Sequence, residues 1–327
     1  MNNMLLVYMA KPSYGGWVAF TSHLSLKYNL PLVKIGKRTE KLKSGNNRLR
    51  KFGYDVSYQN VHINDIVNSN NILITAIDKN YYKYLEKFPD GTKIVIHDPT
   101  EVKGKSCQPV IDNLHRFKVY TIRKTVQEYL LKNFGINSKF LVHPFHQYKK
   151  TKNNVRKNFV SISRVDFDKN TDIIVKANQK VSYPVHIYGK KNDLYVHFHI
   201  DKKLNLLDKF EESYRGTFGK TFSDLDKILS NCKAVVDMSS IKNDGGGSQY
   251  TFLEAIYQEC VLILNKKWVE GTKTKFIHNK NCLIVKDFNE LAKTIENNLS
   301  KNIDYKTIAK NAKKLLKPHI EVDWINN

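Results

Sequence analysis

The segment SISRVDFDKN, residues 161–170, places two cations and two carboxylates directly after a short apolar run. Arg164 offers a directed fork of donors and Lys169 a point charge, and together they suit a diphosphate. Asp166 and Asp168 form a D-x-D that could instead hold a metal through a nucleotide diphosphate. Because the adjacent cations would already neutralise such phosphates, we predict a diphosphate site that needs no metal.

Two glycine-containing segments could bring backbone N–H groups close to an anion. One is Gly15-Gly16, which follows the first apolar run and opens a predicted helix. The other begins with three glycines, and its candidate ligand-binding residues are Gly246, Gly247, Ser248 and Gln249. Glycine lets the backbone approach an anion at the positive end of a helix. Glu254 lies in the helix predicted to follow these three glycines, where its carboxylate could accept hydrogen bonds from two sugar hydroxyls.

Two histidine-containing segments suggest different roles. His97-Asp98 ends a predicted strand, where both side chains would be well placed for base or oxyanion chemistry; a loop cap is the alternative. His197 and His199 alternate along a segment that we predict to be a strand. No further metal ligands accompany them, so we expect core or surface histidines. The sequence contains no GxSxG, HExxH or kinase-type motif.

The chain has 54 Lys+Arg against 31 Asp+Glu, a formal charge of +23. Such a field favours a polyanionic partner: nucleic acid, an anionic membrane face or a phosphorylated polymer. The densest basic stretch covers 34–51, and its candidate DNA-contacting residues are Lys37, Arg38, Lys41, Lys43, Arg48, Arg50 and Lys51. A solvated face and a compositional bias toward lysine are the alternatives for this stretch.

Short apolar runs alternate with longer amphipathic segments, as in βαβ units with a mainly parallel sheet. A polar, basic stretch at 144–157 interrupts this alternation, which then restarts. We therefore predict an α/β protein with two Rossmann-like domains facing a cleft. The first covers 1–150, the second 151–305, and a C-terminal helix at 306–327 packs back on the first. Open sheets bind ligands at the carboxyl ends of their strands, so the cleft is the expected site.

Composition excludes several classes of protein. The 41% hydrophobic content argues against disorder of most of the chain, and no run approaches the roughly 18 apolar residues of a membrane-spanning helix. The first apolar run is too short for the core of a signal peptide. The four cysteines are widely spaced and form no CxxC pair. We expect a protein of the reducing cytoplasm (the host cytoplasm if the source is a phage or virus), without stable membrane insertion.

Taken in order, these motifs resemble those of nucleotide-sugar glycosyltransferases of the GT-B type. The matching features are SRxxxxK after the first strand of a second domain, a Gly-rich loop, and x-L-E-A at a helix start. More narrowly, the chain resembles the phage DNA α-glucosyltransferases, which glucosylate 5-hydroxymethylcytosine in duplex DNA. The segments that match this family's strand, turn and helix starts are MLLVYMAKPSYGGWVAFTSHL, IVIHDPT and YTFLEA.

The resemblance implies that the second domain binds a nucleotide-sugar donor, with UDP as the expected nucleotide. Arg164 and Lys169 would hold the donor diphosphate, and Glu254 the ribose hydroxyls. The backbone of 246–249 would face the phosphate and the sugar. Cations and helix dipoles would stabilise the leaving diphosphate, so that no metal or other cofactor is required.

One part of the family's pattern is missing. The broader retaining family has a second glutamate eight residues before Glu254, where this chain has Gly246. Another residue would then have to contact the sugar in place of that carboxylate, and Asp244 is the candidate. The Gly-x-Pro that follows the helix in the family is replaced by Glu259-Cys260-Val261.

For the first domain the resemblance implies acceptor binding. Gly15 and Gly16 would approach the donor from this side, while His97 and Asp98 would border the transferred sugar and the acceptor hydroxyl. Asp98 is the candidate to receive or orient the acceptor proton. A base in duplex DNA would have to flip out of the stack to reach such a site. The family also implies transfer with retention of configuration.

We therefore expect a monomeric enzyme that moves glucose or a related sugar from a UDP-type donor to a hydroxymethylated pyrimidine in duplex DNA. A first alternative is a GT-B enzyme acting on an envelope glycan, teichoic acid or lipid-linked acceptor. An amphipathic basic helix with exposed aromatic residues would favour this alternative. A second alternative is a nucleic-acid-binding protein on a degenerate transferase fold, which the glutamate missing at Gly246 would favour.

Overall fold

The computed structural model describes residues 4–11, 15–36, 49–151, 153, 155–219, 221–240, 249–272, 274–299 and 303–326. The chain divides into two compact units: unit 1 is Met1–Gln147 with Pro318–Asn327, and unit 2 is Tyr148–Lys317. Each unit has its own largely parallel sheet. In the described part of the chain, none of the helices combines the length and the apolar character that crossing a membrane requires.

Among its described residues, unit 1 contains eight strands that form one sheet. They are β1 (Leu5–Met9), β2 (Leu32–Ile35), β3 (Arg50–Gly53), β4 (Val56–Val61), β5 (Ile72–Ile77), β6 (Lys93–Ile96), β7 (Lys118–Thr121) and β8 (Lys139–Phe140). Their order is β3-β4-β2-β1-β5-β6-β7-β8, and only the β3–β4 pair is antiparallel. Apolar runs such as ILITAI in β5 are buried along their whole length, as is typical of parallel strands.

The helices of unit 1 are α1 (Gly16–Tyr28), α2 (Gln108–Leu114) and α3 (Lys124–Phe134). Shorter 3₁₀ turns occupy Ile63–Asp65, Tyr82–Lys87, Pro99–Val102 and Lys105–Cys107. Helices α1 and α3 both end at a residue in the left-handed conformation, Asn29 and Gly135 respectively. This conformation stops a helix, and Gly and Asn adopt it most readily.

In the described part of unit 2, five parallel strands lie in the order β10-β9-β11-β12-β13. They are β9 (Asn158–Ile162), β10 (Val185–Tyr188), β11 (Cys232–Asp237), β12 (Val261–Asn265) and β13 (Leu283–Val285). The helices that follow α3 in the chain are α4 (Thr171–Asn178), α5 (Leu207–Ser213), α6 (Phe222–Leu229), α7 (Gln249–Tyr257), α8 (Lys266–Gly271), α9 (Phe288–Leu299), α10 (Tyr305–Lys313) and α11 (Lys317–Glu321). A π-helical segment covers Tyr195–Lys203.

The end of the chain differs from the expected helix at 306–327 that packs on the first domain. Only Pro318–Asn327 belongs to unit 1, whereas α10 stays in unit 2 because Ile308 and Ala309 are buried in that unit's core. In unit 1, the buried side chain of Trp324 donates from Nε1 to the Val142 carbonyl at 3.0 Å. The return of the chain to unit 1 therefore depends on its last ten residues.

Candidate functional site

Each sheet reverses its strand order at one point, and ligands of open α/β sheets bind outside the carboxyl ends of the strands at such a point. In unit 2 the reversal lies between β9 and β11, and in unit 1 it lies between β1 and β5. The loop after β9 carries Arg164 and Lys169, and the loop after β1 carries Gly15. The topology therefore places three of the predicted site residues at these two points.

The carboxylate of Asp168 brings the two predicted diphosphate-binding cations together. Its Oδ2 lies 3.3 Å from Arg164 Nη2 and 3.5 Å from Lys169 Nζ. The Arg164 side chain is 56% exposed, whereas that of Lys169 is only 9% exposed. Arg164 thus faces solvent, whereas Lys169 is largely buried. A diphosphate that displaced Asp168 would meet two positive charges already in place.

The loop that carries these cations is fastened to the end of β11. The side-chain amide of Asn170 donates to the Met238 carbonyl and to Ser240 Oγ, at 2.8 Å in both cases. The Ser240 N–H donates to the Asp168 carbonyl at 3.2 Å. Asn170 itself has φ 45°, a left-handed conformation that asparagine tolerates better than most residues. These bonds limit the freedom of the cations before any ligand arrives.

The second carboxylate of the D-x-D is also engaged by the protein. Asp166 Oδ2 lies 3.1 Å from Arg164 Nη1, and Oδ1 accepts from the Phe167 N–H at 2.8 Å and from Asn192 Nδ2 at 3.0 Å. Both carboxylates therefore contact the same guanidinium. Among the described residues, no group of three or more His, Cys, Asp or Glu side chains is arranged to hold a metal ion.

The sequence reasoning missed Gly189, the residue that follows β10. Its φ is +144°, and a Cβ built on it would lie 1.8 Å from the Ser163 carbonyl oxygen. Only glycine at this position allows the loop after β10 to approach the loop after β9 this closely. The close approach is next to the site, because Ser163 immediately precedes Arg164. The position of this glycine directly after a predicted strand was the available signal.

Glu254 lies on α7 and is buried, and this burial raises its pKa to about 8. Thr251 on the same helix donates from Oγ1 to the Ile162 carbonyl at 3.0 Å, which places the start of α7 beside the carboxyl end of β9. Gln249 is the first residue of α7. The other residues predicted for this loop, Gly246, Gly247 and Ser248, lie outside the described residues, as does Asp244.

In unit 1, Gly15 precedes the thirteen-residue helix α1 with φ +141°, a conformation that L side chains rarely adopt. Gly16 begins the helix. A Cβ added at either glycine would meet no atom within 4 Å among the described residues. Among the described residues, the N-terminus of α1 therefore has open space beside it, and the approach of Gly15 and Gly16 to a donor stays a prediction.

His97 lies directly after β6 and is buried. Its Nε2 is 2.7 Å from the Thr75 carbonyl, and because a carbonyl can only accept, Nε2 carries the proton. Burial lowers the pKa of His97 to about 4, so the imidazole is neutral at pH 7. The ring packs edge-on against Phe20 at 4.8 Å between centroids. A role of His97 beside the transferred sugar stays a prediction.

Asp98 lies after β6, as expected, and it also caps the turn that follows, which was the alternative role. Its Oδ1 accepts from the N–H and the Oγ1 of Thr100, both at 2.8 Å, and so caps the 3₁₀ turn Pro99–Val102. Its Oδ2 lies 3.3 Å from Nη1 of Arg123, which follows β7. About a quarter of the Asp98 side chain (26%) is exposed, so this carboxylate can still be reached from solvent.

Glu101 is a second residue that the sequence reasoning missed. Its carboxyl is buried, and it accepts from Trp17 Nε1 at 3.2 Å and from the His97 N–H at 3.3 Å. Burial raises the pKa of Glu101 to about 8. These bonds join the first turn of α1 to the end of β6. The signal was the capping-box spacing D-P-T-E, with Asp98 at the cap and Glu101 three residues later.

The basic stretch 34–51 is described only in part. Arg50 and Lys51 are exposed on β3, the edge strand of the unit 1 sheet. The remaining predicted DNA-contacting residues, Lys37, Arg38, Lys41, Lys43 and Arg48, lie outside the described residues.

The prediction of a strand containing His197 and His199 was wrong. Both residues lie in the π-helical segment, where side chains two positions apart do not share a face. His199 stacks on Tyr195 with 5.2 Å between ring centroids. Phe198 in this segment (59%) and Leu194, the residue just before it (64%), are exposed, four residues apart.

No protein-family model matches the sequence, and no curated protein matches it either. Among solved structures, the chain is similar to HepE from Anabaena in complex with UDP, with 13% identity and a TM-score of 0.67 over 99% of this chain and 97% of that one. HepE in complex with UDP-glucose matches at 14% identity and a TM-score of 0.65 over the same shares. A glycosyltransferase from Rickettsia africae is also similar (13% identity, TM-score 0.58, 98% and 94% covered). So is sucrose-phosphate synthase from Thermosynechococcus elongatus (11% identity, TM-score 0.60, 96% and 94% covered).

Similarity at such low identity bears on the fold, and it covers nearly the whole chain. The similarity to these structures agrees with the two largely parallel sheets of this chain, each of which has one reversal of strand order. The chain has the GT-B fold of glycosyltransferases, built from two Rossmann-like domains.

Proposed function

We propose that the protein is a glycosyltransferase that takes a sugar from a UDP-type donor and transfers it to a hydroxymethylated pyrimidine in duplex DNA. The observation that carries the donor half is the placement of Arg164 and Lys169 around Asp168, at the reversal point of the unit 2 sheet. The similarity to HepE, which is known in complex with UDP and with UDP-glucose, supports UDP as the nucleotide.

In the proposed reaction, the bond between the anomeric carbon and the diphosphate oxygen breaks as a bond to the acceptor oxygen forms. Negative charge develops on the diphosphate, where Arg164 and Lys169 would stabilise it, so no metal is required. The acceptor hydroxyl loses its proton to Asp98, whose carboxylate Arg123 holds in place. By resemblance to the retaining family, we propose that the configuration at the anomeric carbon is retained.

The proposal of a DNA acceptor rests on charge and on the resemblance of short motifs. The formal charge of +23 favours a polyanionic partner, and Arg50 and Lys51 are exposed on an edge strand of unit 1. These cations would contact phosphates and position the duplex, while the modified base would enter the site.

A lipid-linked or envelope acceptor is the second candidate, and one observation favours it. Leu194, just before the π-helical segment, and Phe198 within it expose apolar side chains, and the segment ends with Lys202 and Lys203. Exposed apolar residues beside lysines are typical of segments that lie on anionic membranes.

The donor site is tested by calorimetric titration of Arg164→Ala with UDP. Loss of charge-assisted hydrogen bonds worth about 1.5–3 kcal/mol should weaken binding by roughly 10- to 150-fold. Arg116→Ala is the matched control, because Arg116 also pairs with an aspartate, Asp90 at 2.7 Å, but does so in unit 1. Equal UDP affinity in wild type and Arg164→Ala would contradict the donor assignment.

The acceptor is tested with radiolabelled UDP-glucose and duplexes that contain 5-hydroxymethylcytosine, 5-hydroxymethyluracil or unmodified bases. Label should enter only a hydroxymethylated duplex. Label in lipid or polymer extracts, with none in DNA, would contradict the DNA acceptor and support the second candidate. Binding of DNA without any binding of UDP would instead indicate a non-enzymatic DNA-binding protein.

A further inference from the structure

Unit 1 carries a second group of cations, at the carboxyl edge of its sheet and outside the 34–51 stretch. These rim lysines are exposed residues in the segments that follow β1, β5, β6 and β7: Lys11, Lys79, Lys103, Lys105 and Lys124, the last being the first residue of α3. The carboxyl ends of parallel strands meet at one edge of a sheet, so the rim lysines border the same edge as Asp98.

Direct contacts join the loops that carry the rim lysines. The Lys11 N–H donates to Asp78 Oδ2 at 3.0 Å, which ties the loop after β1 to the loop after β5. Lys103, after β6, places its Nζ 5.0 Å from the centre of the Tyr129 ring on α3, the helix that follows β7. The four strands are consecutive in the sheet, so the rim extends over about 14 Å at about 4.8 Å between strands.

The carboxylates of these loops do not neutralise the rim lysines. Asp78 accepts from the N–H groups of Lys11 and Asn80, and Asp98 faces Arg123. Glu101 is buried against Trp17. Within the described ranges, no rim lysine side chain takes part in the salt bridges seen in unit 1, such as those of Arg116 with Asp90 and of Arg123 with Asp98. The edge therefore carries a positive field that an external anion would have to balance.

We infer that the rim lysines bind the phosphate backbone of duplex DNA and hold the acceptor base beside Asp98, an inference that rests on the proposed function. About 14 Å of duplex axis carries about four phosphates on each strand, at 3.4 Å per phosphate. The rim is thus long enough for several lysines to meet successive phosphates. Such contacts carry no sequence information, and they set the orientation of the duplex on the protein.

The test compares two triple variants that each remove three exposed lysines from unit 1. The rim variant is Lys79→Gln, Lys103→Gln and Lys124→Gln. The control variant is Lys118→Gln, Lys132→Gln and Lys139→Gln, which lie at the amino ends of β7 and β8 or in the last turn of α3. Glutamine keeps a polar side chain and removes the charge, and unchanged melting temperatures establish that both variants fold.

Binding of a fluorescein-labelled duplex containing 5-hydroxymethylcytosine is measured by anisotropy between 50 and 200 mM salt, without donor. Each phosphate contact contributes about 0.9 to the slope of log K against log salt concentration. We expect the rim variant to lose about 2–3 from the magnitude of this slope and at least about tenfold in affinity at 100 mM salt. The control variant should keep the wild-type slope.

Three outcomes would overturn the inference: equal losses in the two variants, no DNA binding by the wild type, or a rim variant that loses only its binding to phosphatidylglycerol vesicles. The last would assign the rim to a lipid surface. Failure of the proposed function has a different signature. If the rim variant alone loses DNA affinity but the wild type transfers no labelled sugar to DNA, the rim binds DNA and the proposed reaction is wrong.

Discussion

The buried carboxyl of Glu101 makes the stability of unit 1 depend on pH, and Glu101→Gln removes that dependence. Its pKa is about 8 in the folded chain against an ordinary value of 4.5, because burial disfavours the charged form. Between these two values the folded chain keeps a proton that the unfolded chain has released, so the free energy of unfolding falls as the pH rises. At about 1.4 kcal/mol per pH unit, the loss reaches about 5 kcal/mol at pH 8.

A glutamine at this position is neutral at every pH. Below pH 4.5 the variant should be less stable than the wild type by about 1–3 kcal/mol. Each oxygen of Glu101 accepts one hydrogen bond, from Trp17 or from the His97 N–H, and the amide nitrogen that replaces one oxygen cannot accept. Above pH 8 the wild type has lost about 5 kcal/mol, so the variant should be more stable by roughly 2–4 kcal/mol. The difference between the two proteins therefore changes sign inside this range of pH.

The measurement is urea unfolding at several pH values between 4 and 9, followed by tryptophan fluorescence in a Trp268→Phe background. Trp17 and Trp324 then report on unit 1 alone, since Trp268 belongs to unit 2. Trp17→Phe is the control, because loss of the donor to Glu101 should move the transition to higher pH. A difference between Glu101→Gln and wild type that stays constant from pH 4.5 to 8 would refute the reasoning, since Glu101 would then already be ionised in the folded chain.

Gly189→Ala should destabilise unit 2 by about 2–5 kcal/mol through overpacking and strained φ, whereas Gly16→Ala should leave the melting temperature nearly unchanged; equal melting temperatures would contradict the close approach. Asp168→Asn should tighten UDP binding a few-fold, because its carboxylate competes with the diphosphate for two cations; weaker binding would mean that the carboxylate is needed to place them. Lys27→Met should speed hydrogen exchange around Trp324, because Lys27 Nζ donates to carbonyls of the terminal segment; unchanged exchange would contradict this anchoring role.

Most of the strands could be predicted from the sequence, because parallel strands are apolar runs of four to six residues separated by amphipathic segments. The β3–β4 hairpin was missed for a local reason. Its turn uses Tyr54 and Asp55 at positive φ, where the usual signal is Asn-Gly or Asp-Gly. The π-helical segment was missed because the alternation around His197 and His199 imitates the two-residue period of a strand.

The residues Arg164, Lys169, Gly15 and Asp98 were named from strand ends that are followed by a cation, a glycine or a carboxylate, because parallel sheets expose ligand sites at those ends. Their roles in binding and catalysis stay predictions. The capping-box spacing marks Glu101 in the sequence, but its burial could not be predicted, since an acidic residue in the first turn of a helix is most often exposed. Only the contact of α1 with the residues that follow β6 pairs Glu101 with the indole of Trp17.

The sequence by itself determined the class of the fold and which ends of which strands carry chemical groups, since these follow from hydrophobic period and local spacing. The tertiary structure decided which groups touch. Asp168 holds two cations together, and the side chain of Asp98 faces an arginine from the next strand's loop. The tertiary structure also decided which carboxyls are neutral at pH 7. Residues distant in the chain exclude water from Glu101 and Glu254, and this burial raises the pKa of both to about 8. Burial and charge pairing are properties of the folded chain, and no local pattern contains them.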